Sequence, residues 1–178
     1  MKIDSICEEM VRLGGASAIR EEVDMPGPVV RVEASCLRPV MEYLRAEDFA
    51  SLMSLAGIDY QGFKPVPEFD GKLGVVYHLF SPLHRLKVTI RVLLAREAPV
   101  LPTVSDLWPT ANWHEREAFD LYGIDFAGHP DFRRILLPDD WVGHPLRKDY
   151  EMPTEYRGIR HREEPIGGID DESDGEGA

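Results

Sequence analysis

A chain of 178 residues with 43% hydrophobic content suits one domain with a tail and can bury a sizeable core. Its net charge of −12 argues against nucleic-acid binding as a main task, and no apolar run reaches the ~18 residues of a membrane span. The opening MKIDSICEEMVRLGG lacks the charged, apolar and cleavable pattern of a signal peptide, so a cytoplasmic protein is expected.

In chain order, Ile3, Ile6, Met10 and Leu13 recur at helical spacing, and Gly14-Gly15 ends the run. Residues 16–24 favour no element. Met25-Pro26-Gly27-Pro28 reads as a turn and Val29–Val32 as a short strand. Leu37, Val40, Met41 and Leu44 mark a second helix, with Ser35 available as its cap and Pro39 tolerated in the first turn. Between Phe49 and Tyr60, Leu52, Met53, Leu55 and Ile58 fit a helix or a buried strand equally. Pro65 and Pro67 place a loop. Leu73–Ser81 and Leu86–Ala95 are rich in β-branched and aromatic residues, and Ser81-Pro82-Leu83-His84 joins them as a hairpin. Pro99 and Pro102 close the sheet. Thr103 or Ser105 then caps a short turn, Asp106-Leu107-Trp108-Pro109 packs as another, and Thr110 or Asn112 begins the next helix. The order α-β-α-β-β-β-α, with strands clustered mid-chain, predicts an α+β fold: helices on a mostly antiparallel sheet.

The stretch Trp113–Tyr150 is the most informative. Trp113, Glu117, Asp120 and Leu121 recur at helical spacing, Phe119 and Tyr122 extend the apolar side, and Gly123 stands where a left-handed stop belongs. Gly128, Pro130, Pro138, Gly143 and Pro145 exclude a second helix, leaving a long loop-rich extension. Within it, charged residues alternate with large apolar ones, a composition that packs on its own domain or on a partner. Arg116 and Asp120 are four apart and can pair on one helix face, while Glu117 points elsewhere. With Glu115, Arg133 and Arg134 they form either a solvated surface or a set of charges that pins the loop to the helix and presents it to another protein, and spacing alone favours neither. Phe132, Trp141 and Tyr150 serve either as interface anchors or as packing on the domain's own sheet.

Candidate chemistry is sparse. His114-Glu115-Arg116-Glu117 resembles a zinc-protease helix but has Ala118 where the second histidine belongs. His129 and His144 with Asp131, Asp139 and Asp140 could ligate a metal, yet His-Pro pairs and acids more often make turn hydrogen bonds. Cys7 and Cys36 read as free, buried thiols, since an iron–sulfur cluster takes ~four ligands. Dinucleotide, P-loop and nucleophile-turn motifs are missing, so no self-contained active site is expected. From Thr154 the composition changes. Arg157, Arg160 and Arg162 form a basic patch, and a Gly-rich stretch holding seven acids and no Lys or Arg follows. More than half of the net charge lies there, and disorder is predicted from about Ile166.

The run Glu115-Arg116-Glu117, Asp120-Leu121-Tyr122, then His129 and Arg133 before Ile135-Leu136, resembles the signature of one family. So does the whole of GHPDFRRILLPDDWVGHPLRKDY. The family is the C (30-kDa) subunit of respiratory complex I, the proton-pumping NADH:quinone oxidoreductase. The resemblance implies a strand from Ser51 to Tyr60. It also implies a cofactor-free peripheral subunit on the cytoplasmic side of the cell membrane. Such a subunit binds the D (49-kDa) subunit near the B subunit, among other peripheral-arm subunits. FMN, iron–sulfur clusters and quinone would then reside in other subunits.

The partner interface would draw on Glu115, Arg116, Glu117, Asp120, His129, Arg133, Arg134, Asp139, Trp141, His144, Arg147, Lys148 and Tyr150. The expected division is an α+β domain over 1–125, an extended partner-binding segment over 126–162, and an acidic, flexible tail over 163–178. Equivalent subunits occur in membrane-bound hydrogenases and ferredoxin- or F420-dependent dehydrogenases, which leaves the electron donor open. A stand-alone metal-dependent enzyme and a free-standing binding module are the rival readings.

Overall fold

Apolar periodicity decides which faces turn inward. Ile6, Cys7 and Met10 are buried along α1 (Ile3–Leu13), and Leu37, Val40, Met41 and Leu44 along α2 (Leu37–Ala46). The computed structural model describes residues 3–23 and 27–160. The turn expected over 25–28 therefore lies partly outside the described residues, and Arg162 and the acidic tail lie wholly outside them.

Five strands form the main sheet: β1 (Ile19–Glu21), β2 (Val29–Val32), β3 (Ser51–Asp59), β4 (Leu73–Ser81) and β5 (Leu86–Leu94). Their order is β1-β2-β5-β4-β3, and every neighbouring pair is antiparallel except β2 with β5, which is parallel. The ambiguous 49–60 stretch is thus a strand. Its register slips between Leu52 and Ser54, a bulge that lets Leu52 and Leu55 both reach the core. The stretch left unassigned from residue 16 supplies β1. Val75, Tyr77 and Leu79 of β4 join Val88, Ile90 and Val92 of β5 and the buried faces of α1 and α2 in one core.

Two expected caps are corrected. Ser35 lies inside a 3-10 turn, Ala34–Cys36, that runs straight into α2. The carbonyls of Glu33 and Ala34 take the first N–H groups, and no side chain caps the helix. Likewise α3 (Ala111–Tyr122) starts from Thr110 without a side-chain cap. The carbonyls of Trp108 and Pro109 accept the N–H groups of Ala111 and Asn112 instead. The Asp106–Pro109 turn is packed as expected, with Trp108 buried and its indole N–H donated to the Phe49 carbonyl at 3.0 Å.

Pro99 and Pro102 do not simply close the sheet. β6 (Val100–Pro102) pairs in parallel with β7 (Asp125–Ala127), so α3 is the crossover between two bonded strands. Gly123 ends the helix at φ 68°, the left-handed stop that its position predicts. α3 lies against β3, where a Cβ on Gly57 would come within 2.6 Å of the Tyr122 ring. Past Tyr122 the described residues contain no helix, only β7 and a small hairpin of β8 (Glu155–Tyr156) and β9 (Ile159–Arg160). No helix among the described residues is long and apolar enough to cross a membrane.

Candidate functional site

The inward face of α3 is polar. Glu115 and Asp120 are fully buried and Arg116 is nearly so, whereas Trp113, an apolar residue of the helical pattern, is 63% exposed. Residues 129–149 cross the helix and supply partners for Arg116 and Asp120, while Glu115 finds its own in Thr103 and Val104 after β6.

Asp120 is the main anchor. One carboxylate oxygen accepts the backbone N–H groups of Ile135, Leu136 and Leu137 at 3.1, 2.7 and 2.9 Å. The other accepts Arg134 at 2.7 Å. Burial alone would raise this carboxyl, but the three N–H donors and the guanidinium outweigh it and hold it below the usual carboxylate range. Arg116 does not pair with Asp120, contrary to the i,i+4 expectation. It donates to the carbonyls of Arg133 and Arg134 at 3.1 and 3.3 Å and meets Asp131 at 3.3 Å. The two charges are drawn apart because each finds several loop groups in a direction its helix neighbour cannot offer.

The same loop finishes the helix. Its last carbonyls have no intrahelical donors. Asp120 receives the His144 Nδ1–H at 2.9 Å, Leu121 receives the Leu146 N–H at 3.1 Å, and Tyr122 receives the Arg147 Nε–H at 2.7 Å. With Arg134, which donates to the Asp120 carbonyl at 3.3 Å, two guanidiniums therefore stand at the negative end of the helix dipole. Burial keeps the His144 imidazole below its ordinary value, and its Nδ1 carries the proton because a carbonyl can only accept.

A second anchor lies at the end of β3. Asp59 accepts both terminal nitrogens of Arg96 at 2.7 Å, the Gln61 N–H at 2.9 Å and the Lys148 N–H at 2.7 Å. Arg96 also grips Asp149, at 2.6 and 3.1 Å. Burial would raise Asp59, yet the Arg96 fork and the two N–H donors bring it down to about 2. Neither Asp59 nor Arg96 carries any signal in the sequence, since their partners stand far along the chain.

Glu115 differs from both. Val104 N–H donates to Oε1 at 2.8 Å and the Thr103 hydroxyl lies 2.5 Å from Oε2. Burial pushes this carboxyl up to about 7 against those two hydrogen bonds. His129, whose ring is buried, accepts the Asp131 N–H at Nδ1 and donates from Nε2 to the Asn112 carbonyl.

The remaining expected residues divide by direction. Arg133 and Asp139 are exposed, and Arg133 pairs locally with Asp131. Glu117 is exposed, as its position predicts. Lys148 donates from Nζ to the Gln61 carbonyl. Phe132 packs on Phe119 with centroids 4.3 Å apart, and Trp141 on Tyr156 at 5.0 Å. The Tyr150 hydroxyl donates to the Val142 carbonyl. These aromatics pack on the helix and on the segment itself, not on the sheet. Among the described residues no three His, Cys, Asp or Glu side chains converge as a metal site needs, and both histidines are committed to backbone groups.

Large apolar side chains also stand on the outside of this segment. Leu136, Val142, Met152 and Ile159 are 60, 83, 60 and 72% exposed, and Leu146 and, on α3, Trp113 are open as well. They alternate with exposed charges such as Arg133, Asp139, Lys148, Glu151 and Glu155, and so many open apolar residues on one segment mark a surface suited to a partner.

The family described as the 30-kDa subunit of respiratory-chain NADH dehydrogenase matches residues 30–156. The C subunit of the NADH-quinone oxidoreductase of Moorella thermoacetica is 42% identical over 153 residues, covering 86% of this chain and 98% of that protein. Its counterpart in Chloroherpeton thalassium is 51% identical over 114 residues, covering 63% of this chain but 44% of that longer protein. A solved structure of the trypsin-resistant fragment of Nqo5 superposes with a TM-score of 0.64 at 33% identity, covering 74% of this chain and 99% of the fragment. A chain of the archaeal membrane-bound sulfane sulfur reductase superposes with a TM-score of 0.66 at 22% identity, covering 84 and 85%, which shows a shared fold.

Proposed function

Because the chain belongs to the 30-kDa family, the C subunit of NADH-quinone oxidoreductase, we propose that it scaffolds the quinone-reducing module of such a complex. Its residues 126–160 would dock on the D (49-kDa) subunit near the B subunit. The observation that carries this reading is the set of large apolar side chains that the anchored segment leaves open. Leu136, Val142, Leu146, Met152 and Ile159 stand exposed among its charges and would meet an apolar partner face. At about 25 cal/mol per Å² of apolar surface removed from water, a strip of this kind supplies several kcal/mol once covered. The order of the segment is fixed beforehand by Asp120 and Asp59, which lowers the entropy lost on docking.

In this role the chain performs no electron transfer. FMN, iron–sulfur clusters and quinone belong to neighbouring subunits, and the chain meets the membrane only through them, on its cytoplasmic side. The likeness to the sulfane sulfur reductase chain favours a second version of the same role, in which a related complex with another electron donor uses the same scaffold.

The test is to pull the tagged chain from gently solubilised native membranes and identify what co-elutes. A D-like subunit with cluster-bearing partners and NADH:quinone activity is the expected result. Val142→Asp with Leu146→Asp should lose those partners while keeping the parent's thermal midpoint. Recovery of the parent chain alone, from the soluble fraction, overturns the proposal.

A further inference from the structure

Glu115 takes no part in the outward strip, yet it sits at the root of the segment that carries it. Its carboxyl is completely enclosed, and the groups facing it can be named from each element. On its own helix, Arg116 turns to Asp131 and to two loop carbonyls, and Asp120 is engaged by Arg134. After β6 come Thr103, Val104 and Ser105, with Asp106 already held by Arg38. From β4 comes Tyr77, whose buried hydroxyl has no hydrogen-bond partner and is pushed up chiefly by burial. From the loop comes His129, 3.9 Å away.

No cation is available to Glu115 in this set. His129 accepts a backbone N–H at Nδ1, so that nitrogen carries no proton and the ring is neutral. Its other nitrogen is committed to the Asn112 carbonyl. A carboxylate here would be an enclosed charge facing neutral donors alone, which is costly.

We infer that Glu115 is a buried proton-binding site, held in the folded protein as a neutral carboxylic acid. In that state the direction between Thr103 and Glu115 reverses from that toward a carboxylate: Oε2–H donates to the Thr103 hydroxyl oxygen 2.5 Å away, and Thr103 in turn donates to the Ser105 hydroxyl at 2.8 Å. Thr103 Oγ1 then has two donors, the acid and the Ser105 N–H at 3.1 Å, for its two lone pairs. The acid thereby ties α3 to the β6 end, beside the point where residues 129–149 begin to cross the helix. With the carboxyl lifted from 4.5 to about 7, the site binds its proton about 300-fold more tightly than a free glutamate.

The test uses the full chain with carbon-labelled glutamate. Side-chain carboxyl shifts are followed by NMR from pH 4 to 9, with Glu115 assigned by difference from Glu115→Gln. One carboxyl titrating near 7, missing in the variant, is expected. Stability against urea in the parent should fall between about pH 4.5 and 7 relative to Glu115→Gln and run level above, because the folded state alone retains the proton in that window. If the variant does not fold, the parent spectrum still decides: all glutamates ionised at pH 5.5 overturns the inference.

Discussion

Replacing Asp120 with asparagine removes one charge and reverses one end of a buried acceptor. The native carboxylate receives Arg134 at 2.7 Å on one oxygen and three N–H groups at 2.7–3.1 Å on the other. An amide can satisfy only one of these sides, because its NH₂ must point either at the guanidinium or at the three N–H groups. Hydrogen bonds to a charged group are worth about 1.5–3 kcal/mol each. Leaving the partner of a buried pair uncompensated costs about 3–5 kcal/mol. The three N–H bonds share one oxygen and cannot be added, so about 3–5 kcal/mol is the loss expected for the whole anchor. That loss falls on the crossing segment more than on the sheet, whose core does not touch the carboxylate. Trypsin cleavage after Arg133 and Arg134 reports the segment directly: opening made easier by 3 kcal/mol raises cleavage by about two orders of magnitude. Far-ultraviolet dichroism should meanwhile keep the sheet signal. Cleavage at the parent rate would refute the idea that Asp120 holds the segment down.

Other outcomes follow from the same geometry. Asp59, held at about 2, contributes stability that is present above its unfolded value of 3.8 and is lost as pH falls through about 2. Acid denaturation of Asp59→Asn should therefore lack that step, worth about 2 kcal/mol. Gly57→Ala places a methyl group 2.6 Å from the Tyr122 ring and should lower the thermal midpoint by the equivalent of about 1–3 kcal/mol, with partial recovery in Tyr122→Leu. Charge reversal separates two adjacent arginines. Arg134→Glu, at a side chain 15% exposed and bound to Asp120, should free the segment to protease. Arg133→Glu, at one 72% exposed, should change stability by no more than about 0.5 kcal/mol in a urea titration.

Much of the scaffold was legible because apolar spacing and sidedness agree in α1, α2, β2, β4 and β5. Gly123 was legible because only a left-handed stop suits a glycine there. The anchors were not. Periodicity assumes that the inward face of a helix is the apolar one, and α3 breaks that rule at Glu115, Arg116 and Asp120. The i,i+4 rule paired Arg116 with Asp120 because it knows only the helix, whereas their partners stand 14–18 positions downstream. The signature was recognisable as a pattern of residues before its meaning was. Several of its charges, Glu115, Arg116, Asp120 and Arg134, turn toward the protein's interior, while Glu117, Arg133 and Asp139 stay on the surface beside the exposed leucines and valine.

The Asp59 anchor has a consequence for how the chain is made. Lys148 lies 89 positions after Asp59, whereas Arg96 lies only 37 after it. At roughly 5–20 residues per second of synthesis, the ribosome needs about 4–18 s to deliver Lys148 after Asp59 has appeared. Until then only the Arg96 guanidinium and the Gln61 N–H hold the carboxylate, and the far end of the segment is unanchored at β3. A nascent or prematurely ended chain can thus build its sheet while the end of the segment near Lys148 still lacks its hold on β3.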